Sequence, residues 1–250
     1  MLTSQQRNKL HRLEYTLADI EQGLIAVSGG LDSRLLALVA RRMELTVQCV
    51  HLAGPHMPRV ETRQALAWLG NLGLPFSVLE VDPLVHPSVA ENARDRCYYC
   101  KRLLFSALRE TFALATLMDG SNATDQGGYR PGLRALAELG VLSPYIQCGI
   151  SKEDIRAMAL FMGLDNPAQP SRPCLLTRLP YFSPLRAEDL AFIDGQEDRC
   201  REAGFEDFRV RLLDGEPVLF AHEQHRGLAV PLGLMVFFTK NLSGYWDRQD

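Results

Sequence analysis

The stretch Gly23–Ala40 reads Gly-Leu-Ile-Ala-Val-Ser-Gly-Gly-Leu-Asp-Ser-Arg-Leu-Leu-Ala-Leu-Val-Ala, and it leaves few folds open to the chain. Leu24–Val27 is a short apolar run that ends in Ser28-Gly29-Gly30, and Leu31–Ala40 is apolar at helical spacing. The pattern predicts a buried strand, a tight turn and a helix N-terminus. Gly29 and Gly30 admit backbone angles closed to other residues and leave room for a ligand close to the main chain. The N–H groups of the helix's first turn then face that space, and the helix dipole favours an anion in it. Asp32 adds a carboxylate beside this anion site, which calls for a divalent cation or a basic side chain between the two.

The six residues Ser28-Gly29-Gly30-Leu31-Asp32-Ser33 resemble the SGGxDS PP-loop of the ATP pyrophosphatases. Those enzymes cleave ATP between its α- and β-phosphates to adenylate an oxygen, then displace AMP with a nucleophile. The resemblance implies that Ser28, Gly29, Gly30, Asp32 and Ser33 hold the phosphates of ATP and a Mg²⁺ ion. Neither a GxxxxGK[ST] loop nor a GxGxxG fingerprint occurs. Taken without the resemblance, the same residues describe a tight strand–helix turn of any α/β protein.

A length of 250 residues suits one large domain or a main domain with an appendage. The formal net charge of −3 gives no electrostatic case for a nucleic-acid scaffold. No stretch approaches the roughly 18 apolar residues that cross a bilayer, and Met1–Asp19 is polar and mixed in charge, without a signal-peptide pattern. The expectation is a cytoplasmic protein with no membrane partner. Six cysteines, Cys49, Cys97, Cys100, Cys148, Cys174 and Cys200, are far too few for a disulfide scaffold. Cys49 lies in an apolar run and reads as a small buried hydrophobe, and Cys148 and Cys200 read as structural.

Gln5–Ile20 carries Leu10, Leu13, Leu17 and Ile20 at helical spacing, an amphipathic helix. Strands are expected at Leu45–Leu52, Phe76–Val81 and Thr116–Met118, with a helix over Pro58–Leu72 and another over Arg102–Ala115; Val141–Tyr145 is a candidate fifth strand. Ser151-Lys152-Glu153-Asp154 has the form of a capping box opening a helix over Lys152–Met162. Alternation of short strands with helices implies right-handed crossovers and a parallel sheet, a Rossmann-like α/β fold with its ligand at the carboxyl edge of the strands. Asn166–Pro184 holds five prolines and is a linker or a functional loop. Beyond it a helix over Leu185–Glu202 and strands at Phe208–Leu213, Val218–Ala221 and Leu234–Phe238 make a small α+β unit. The boundary is expected near residue 182, giving a PP-loop domain over 1–182 and a small C-terminal domain over 183–250.

Cys97-Tyr98-Tyr99-Cys100 opens a helix among Arg96, Lys101 and Arg102, where both the helix terminus and the cations stabilise a thiolate. A redox pair, two thiols that merely start a helix, and a metal site are all compatible with it. A structural zinc site needs four ligands, and only Cys174 offers a third. Three thiolates with an open fourth position suit an iron–sulfur cluster that presents one iron. Cys174 lies in Pro170–Tyr181 with Arg172 and Arg178 close in sequence, a candidate thiolate nucleophile or sulfur ligand.

Arg96–Lys101, Asp119-Gly120-Ser121-Asn122, Tyr129-Arg130-Pro131-Gly132, Ser151–Arg156 and Cys174–Tyr181 together resemble the LarE family, over about Gly23 to Arg211. LarE proteins are PP-loop sulfur transferases of nickel-pincer nucleotide cofactor synthesis. The resemblance implies adenylation of a carboxylate of pyridinium-3,5-biscarboxylic acid mononucleotide, followed by its conversion to a thiocarboxylate. In one subgroup a single cysteine, matching Cys174, gives up its own sulfur and becomes dehydroalanine. In another, cysteines matching Cys97, Cys100 and Cys174 hold a 4Fe–4S cluster, and the presence of all three resembles that subgroup. Arg209 and Arg211 match the family's phosphate-binding pair; as plain strand residues they read instead as outward-facing arginines of an edge strand. Arg34 stands where the family usually has threonine, and Phe220 where it has glutamate. The expected partner is a small nucleotide-like substrate, with no nucleic acid, and the expected state a homo-oligomer. A tRNA-thiolating enzyme, an ammonia-using adenylating ligase and a non-enzymatic nucleotide-binding protein are the rival readings.

Overall fold

The computed structural model describes residues 1–127, 129–231, 233–242 and 244–248, with the side chain of Arg248 left aside. Gly128 of the glycine-bearing loop and the last two residues of the chain lie outside the described residues. The chain divides into two compact units. One comprises Met1–Gly54, Glu61–Val81 and Cys97–Ser171; the other comprises Pro55–Val60, Asp82–Arg96 and Arg172–Asp250.

The first unit carries helices α1 (Ser4–Ala18), α2 (Leu31–Arg42), α3 (Arg59–Leu72) from Glu61 on, α5 (Arg96–Thr111) from Cys97 on, α6 (Pro131–Glu138), α7 (Pro144–Gln147) and α8 (Lys152–Phe161). Its strands are β1 (Gly23–Ala26), β2 (Val47–Ala53), β3 (Phe76–Glu80) and β4 (Thr116–Met118). They form an all-parallel sheet in the order β3-β2-β1-β4. Gly23 of β1 lies opposite Val47 on one side and Thr116 on the other. The order turns back at β1, so the gap between the carboxyl ends of β1 and β4 is the topological switch point, where folds of this kind open a ligand crevice.

The core of this unit is built from the expected periodicities. Leu10, Leu13 and Leu17 line the buried face of α1, and Leu35, Leu36, Val39 and Ala40 that of α2; with Ile25 and Cys49 they join one apolar cluster. Thr3 and Gln6 close a capping box on α1, and Ser151 and Asp154 do the same on α8. The anticipated fifth strand over Val141–Tyr145 is reduced to one parallel bridge, Met118 to Leu142. Pro144 ends it, since a residue without an N–H cannot extend the ladder and is at home in the first turn of a helix, here α7.

The second unit includes α4 (Pro87–Ala90), α9 (Ala187–Glu202) and a sheet of β5 (Phe208–Leu213), β6 (Glu216–His222) and β7 (Met235–Thr239). β5 and β6 are an antiparallel hairpin, and β7 joins β6 in parallel. The hairpin turns on Asp214 and Gly215, with φ of 51° and 85°, the left-handed pair that matches the twist of the flanking strands. Asn92, with φ of 56°, is buried and donates through Nδ2 to the Pro180 carbonyl at 2.6 Å, tying Asp82–Arg96 to the proline-bearing segment.

Candidate functional site

Ser28–Ser33 forms the turn between β1 and α2. Gly29 has φ of 84°, and a Cβ there would meet the Ala65 Cβ at 3.0 Å, so α3 packs directly on the turn. Gly30 caps α2 in extended conformation and supplies no side-chain acceptor to the helix's first turn. The turn is closed by hydroxyls: Ser28 Oγ accepts from the Gly30 N–H at 3.3 Å, and Ser33 Oγ donates to the Gly30 carbonyl at 3.1 Å. These residues are thus brought together with backbone N–H groups and a helix terminus at the carboxyl edge of β1.

Two buried side chains brace this turn from either end. His51 on β2 donates through Nδ1 to the Val27 carbonyl at 2.8 Å, because a carbonyl can only accept, and its Nε2 then takes the Thr62 hydroxyl at 3.1 Å. Burial lowers its pKa below the ordinary histidine value, in keeping with a neutral ring, against the opposing pull of the Val27 carbonyl. Tyr145 is fully buried, and its hydroxyl donates to the Asp32 carbonyl at 3.0 Å. Burial, and then the Asp32 charge, push the Tyr145 pKa well above its usual value, so it remains a donor. Neither residue stands out in the sequence. His51 sits in an apolar strand, and Tyr145 reads as a plain core aromatic.

The segment after β4 comes in against the turn. A Cβ on Gly120 would stand 2.9 Å from the Ser33 backbone nitrogen, closer than a side chain permits, and 3.2 Å from the Asp32 Cβ. Asn122 donates through Nδ2 to Asp32 Oδ2 at 3.3 Å, while its Oδ1 accepts from the Thr124 N–H. The other carboxylate oxygen of Asp32 is paired with the Lys152 ammonium at the start of α8. Lys152 is thus a basic side chain of the kind the sequence called for beside Asp32. Asp119 accepts from Ser121 and Ser143 at 2.5 and 2.6 Å, with Lys101 Nζ at 3.6 Å. Arg34 is committed elsewhere: its guanidinium binds Asp165 Oδ1 at 2.7 Å and Gln169 Oε1 at 2.8 Å and lies over Trp68.

Cys97 and Cys100 fall in the first turn of α5, one partly exposed and the other buried. Spaced by three, they share a helix face. α6 closes on this turn, since a Cβ on Gly132 would lie 3.4 Å from the Cys97 carbonyl oxygen. Between the two cysteines, Tyr98 donates to Glu138 Oε2 at 2.5 Å, with Arg134 stacked on its ring at 4.1 Å. Burial holds Cys49 at a pKa of about 12, and burial with the Glu197 charge does the same for Cys200, so neither is a thiolate.

In the second unit, Cys174 is partly exposed and precedes the 3-10 turn Leu175–Arg178. The Leu175 N–H donates to the His56 carbonyl at 2.8 Å, and Trp246 Nε1 donates to the Thr177 carbonyl at 3.0 Å. Arg178 is buried against Glu197 of α9. Arg209 and Arg211 share a face of β5 at the sheet edge, and both are 3% exposed, so they are not outward-facing surface residues. Arg211 donates to the Leu242 carbonyl at 2.6 Å and is stacked between Phe220 and Tyr245, each at 4.5 Å. Burial, with Arg178 and Arg209 nearby, lowers its pKa to about 9. Among the described residues no three His, Cys, Asp or Glu side chains are gathered so as to hold a metal ion. Among the described residues no helix is long and apolar enough to cross a membrane.

No family model matches the chain. It is 32% identical over 209 residues to an uncharacterized protein of Synechocystis sp., covering 82% of this chain and 78% of the relative. It is 31% identical over 181 residues to an uncharacterized protein of Methanocaldococcus jannaschii, covering 71% and 69%. It is 30% identical over 200 residues to the pyridinium-3,5-bisthiocarboxylic acid mononucleotide synthase of Lactiplantibacillus plantarum, covering 78% and 72%.

Proposed function

The chain belongs to the LarE family, and on that premise we propose that it is an ATP-dependent sulfur transferase acting on a carboxylate of a pyridinium mononucleotide. One observation carries the nucleotide half of this reading. At the switch point of a parallel sheet, Gly29 and Gly30 deliver an α2 terminus that has no side-chain cap, and Gly120 leaves no room for a side chain beside Ser33. That is a cradle for a polyphosphate. Ser28, Gly29, Gly30 and Ser33 bind the phosphates of ATP, and Asp32 is the carboxylate that would hold Mg²⁺, which would supply charge neutralisation to the leaving pyrophosphate.

In the proposed reaction a substrate carboxylate oxygen attacks the α-phosphorus, the α–β phosphoanhydride bond breaks, and pyrophosphate leaves. A sulfur nucleophile then attacks the acyl carbon of the adenylate, and the C–O bond to AMP breaks. Where Cys174 delivers that sulfur, its thiolate displaces AMP to form a thioester, and loss of its Cα proton with cleavage of its Cβ–Sγ bond releases the thiocarboxylate and leaves dehydroalanine in its place. Arg209 and Arg211 are the proposed anchors for the substrate phosphate, suited to it because a buried guanidinium gains most from an anion. Cys97, Cys100 and Cys174 remain the proposed ligands of a 4Fe–4S cluster in the cluster-dependent form of the reaction. The described side chains gather no three-ligand set, so no step is routed through it. The proposed setting is the cytoplasm, as a homo-oligomer with neither nucleic acid nor membrane as partner.

The test is an anaerobic incubation with Mg²⁺, ATP and pyridinium-3,5-biscarboxylic acid mononucleotide. Release of AMP and pyrophosphate that depends on the mononucleotide, with mass-spectrometric exchange of oxygen for sulfur in it, is the expected result. Pyrophosphate released equally without it, or not at all, overturns the reading.

A further inference from the structure

Arg96 opens α5 and is 3% exposed, yet its Nε and Nη1 are buried without a hydrogen-bond partner. Its guanidinium lies over the Tyr181 ring at 4.7 Å, and the first turn of α5 holds no acidic residue. Arg94 reaches the same ring at 5.9 Å, so two cations are gathered on one aromatic. The ring is held in place. The Tyr181 hydroxyl donates to Asp247 Oδ1 at 2.6 Å, and Asn92 ties the two segments together by donating to the Pro180 carbonyl and accepting the Phe182 N–H. Folding thus fixes a buried cation against a ring face, which attracts it less than an anion does. Such a guanidinium has its acceptor in a ligand, and its planar set of donors matches a carboxylate.

We propose that Arg96 binds the carboxylate of the substrate ring that is not reacting, and so selects a pyridinium dicarboxylate over a monocarboxylate. This rests on the sulfur-transferase reading given above. The mononucleotide proposed there carries two carboxylates, and one is adenylated at a time. The other stays ionised beside the reaction, and a buried anion of that kind needs a cation of its own. When the second carboxylate is processed in turn, the group left to Arg96 is the finished thiocarboxylate, also an anion, so one residue serves both rounds. Arg96 and Arg211 belong to the same unit, and one short stretch touches the surroundings of both. Tyr245 is stacked on Arg211, and Asp247, two residues on, accepts from the tyrosine on which Arg96 lies. The phosphate and the idle carboxylate of one mononucleotide therefore have a guanidinium each, and both guanidiniums are set in place by packing rather than by protein acceptors at their Nε and Nη1 atoms.

The test compares two substrates in one assay. Pyrophosphate release with Mg²⁺ and ATP is followed for pyridinium-3,5-biscarboxylic acid mononucleotide and for nicotinic acid mononucleotide, which lacks one of the two carboxylates. The quantity read is the ratio of their kcat/KM values, which refers each transition state to free protein and free substrate. Wild-type protein should favour the dicarboxylate about tenfold or more, the scale of one charge-assisted hydrogen bond. In Arg96→Gln the ratio should fall to about one, and Arg96→Lys, which keeps the charge without the planar fork, should lie between. Arg96→Gln should also melt near the wild-type temperature, because the charge it removes has little protein partnership to lose. Equal losses on both substrates, with the wild-type ratio preserved, would make Arg96 a structural residue and overturn the inference, as would unchanged kinetics. If Arg96→Gln does not fold, the wild type and Arg96→Lys decide: a wild-type ratio of about one overturns the proposal, and a tenfold preference that Arg96→Lys reduces sustains it. Wild-type protein that releases no pyrophosphate with either mononucleotide brings down the sulfur-transferase reading, and this inference with it.

Discussion

The His51 ring donates through Nδ1 to the Val27 carbonyl at 2.8 Å, one residue before the Ser28–Ser33 turn. Burial depresses its folded pKa below the ordinary value of about 6.5, so below that pH the unfolded chain binds a proton that the folded chain refuses. Stability is therefore full above about pH 6.5 and declines as pH falls towards the lower, folded pKa. Chemical denaturation of the wild type against His51→Gln from neutral to mildly acid pH should show the variant losing this part of the slope. Parallel curves for the two proteins would count against a neutral, buried His51.

The two loop glycines should separate in their effects. Gly29→Ala forces a side chain into φ of 84° and onto the Ala65 Cβ, and should cost about 1–3 kcal/mol of stability. Gly30 has ordinary backbone angles, and a Cβ there would meet only Ser28 Oγ, at 3.4 Å. Gly30→Ala should accordingly melt close to wild type yet bind ATP more weakly. Unchanged ATP affinity in well-folded Gly30→Ala would speak against close approach of a phosphate at that residue.

Arg178 meets Glu197 through Nε at 2.6 Å, and Arg201 and the Val210 N–H complete the shell of that carboxylate at 3.2 and 3.1 Å. Burial alone would raise the Glu197 pKa, but Arg178 and the remaining donors outweigh it and hold it below the usual range. Glu197→Gln should destabilise the protein by about 3 kcal/mol, the cost of leaving a buried guanidinium without its charge partner. The wild-type contribution is complete above about pH 4.5 and is lost as pH falls through the lower folded pKa, so the gap between the two proteins should narrow in acid. Denaturant midpoints across that range would reveal it, and a gap that widens would refute the assignment.

Arg211 keeps its Nε and Nη1 buried without hydrogen-bond partners, and burial drags its pKa down to about 9. That is a poor bargain for stability alone, so Arg211→Met is expected to melt at or above the wild-type temperature. Added inorganic phosphate should raise the wild-type melting temperature and leave Arg211→Met unmoved. A variant that melts well below wild type, with the phosphate effect intact, would give Arg211 a purely structural role.

Sulfur delivery divides along the cysteines. If the proposed cluster is held, iron found after anaerobic purification of the wild type should be lost in Cys97→Ser and in Cys100→Ser, while pyrophosphate release persists in both, since the Ser28–Ser33 turn is built from other segments. A dehydroalanine at Cys174 in iron-free wild-type protein, seen by intact-mass spectrometry after one turnover, would replace the cluster route with a sacrificial one.

Much of the α/β framework was legible because it depends on local periodicity and on turn residues. Leu10, Leu13 and Leu17 declare the buried face of α1, and Ser151 with Asp154 declares the start of α8. The Ser28–Ser33 turn was legible too, as two glycines between a strand and a helix. What surrounds it was not. His51 and Tyr145 are polar groups that satisfy distant carbonyls, and nothing local distinguishes them from core residues. Gly120 is required by the backbone of a segment far away in sequence, which is why its neighbours could be matched as a motif without a physical role. The burial of Arg209 and Arg211 escaped detection for the opposite reason: alternation on a strand marks a common face but not which way it points.

The pairing of β1 with β4 has a further consequence for the order of events at synthesis. The turn that follows β1 emerges well before its companion loop, which follows β4, and the two strands meet with Gly23 opposite Thr116. Lys152 arrives later still. A nascent chain that has made β1, β2 and β3 holds the glycine turn without Gly120, Asn122 or the lysine, and the loop-closure cost of bringing them in falls on a long-range contact. Ribosome-bound intermediates that stop short of α8 should accordingly contain the Ser28–Ser33 turn without the partners that enclose it, so that the enclosure is completed near the end of the first unit's translation rather than with the motif itself.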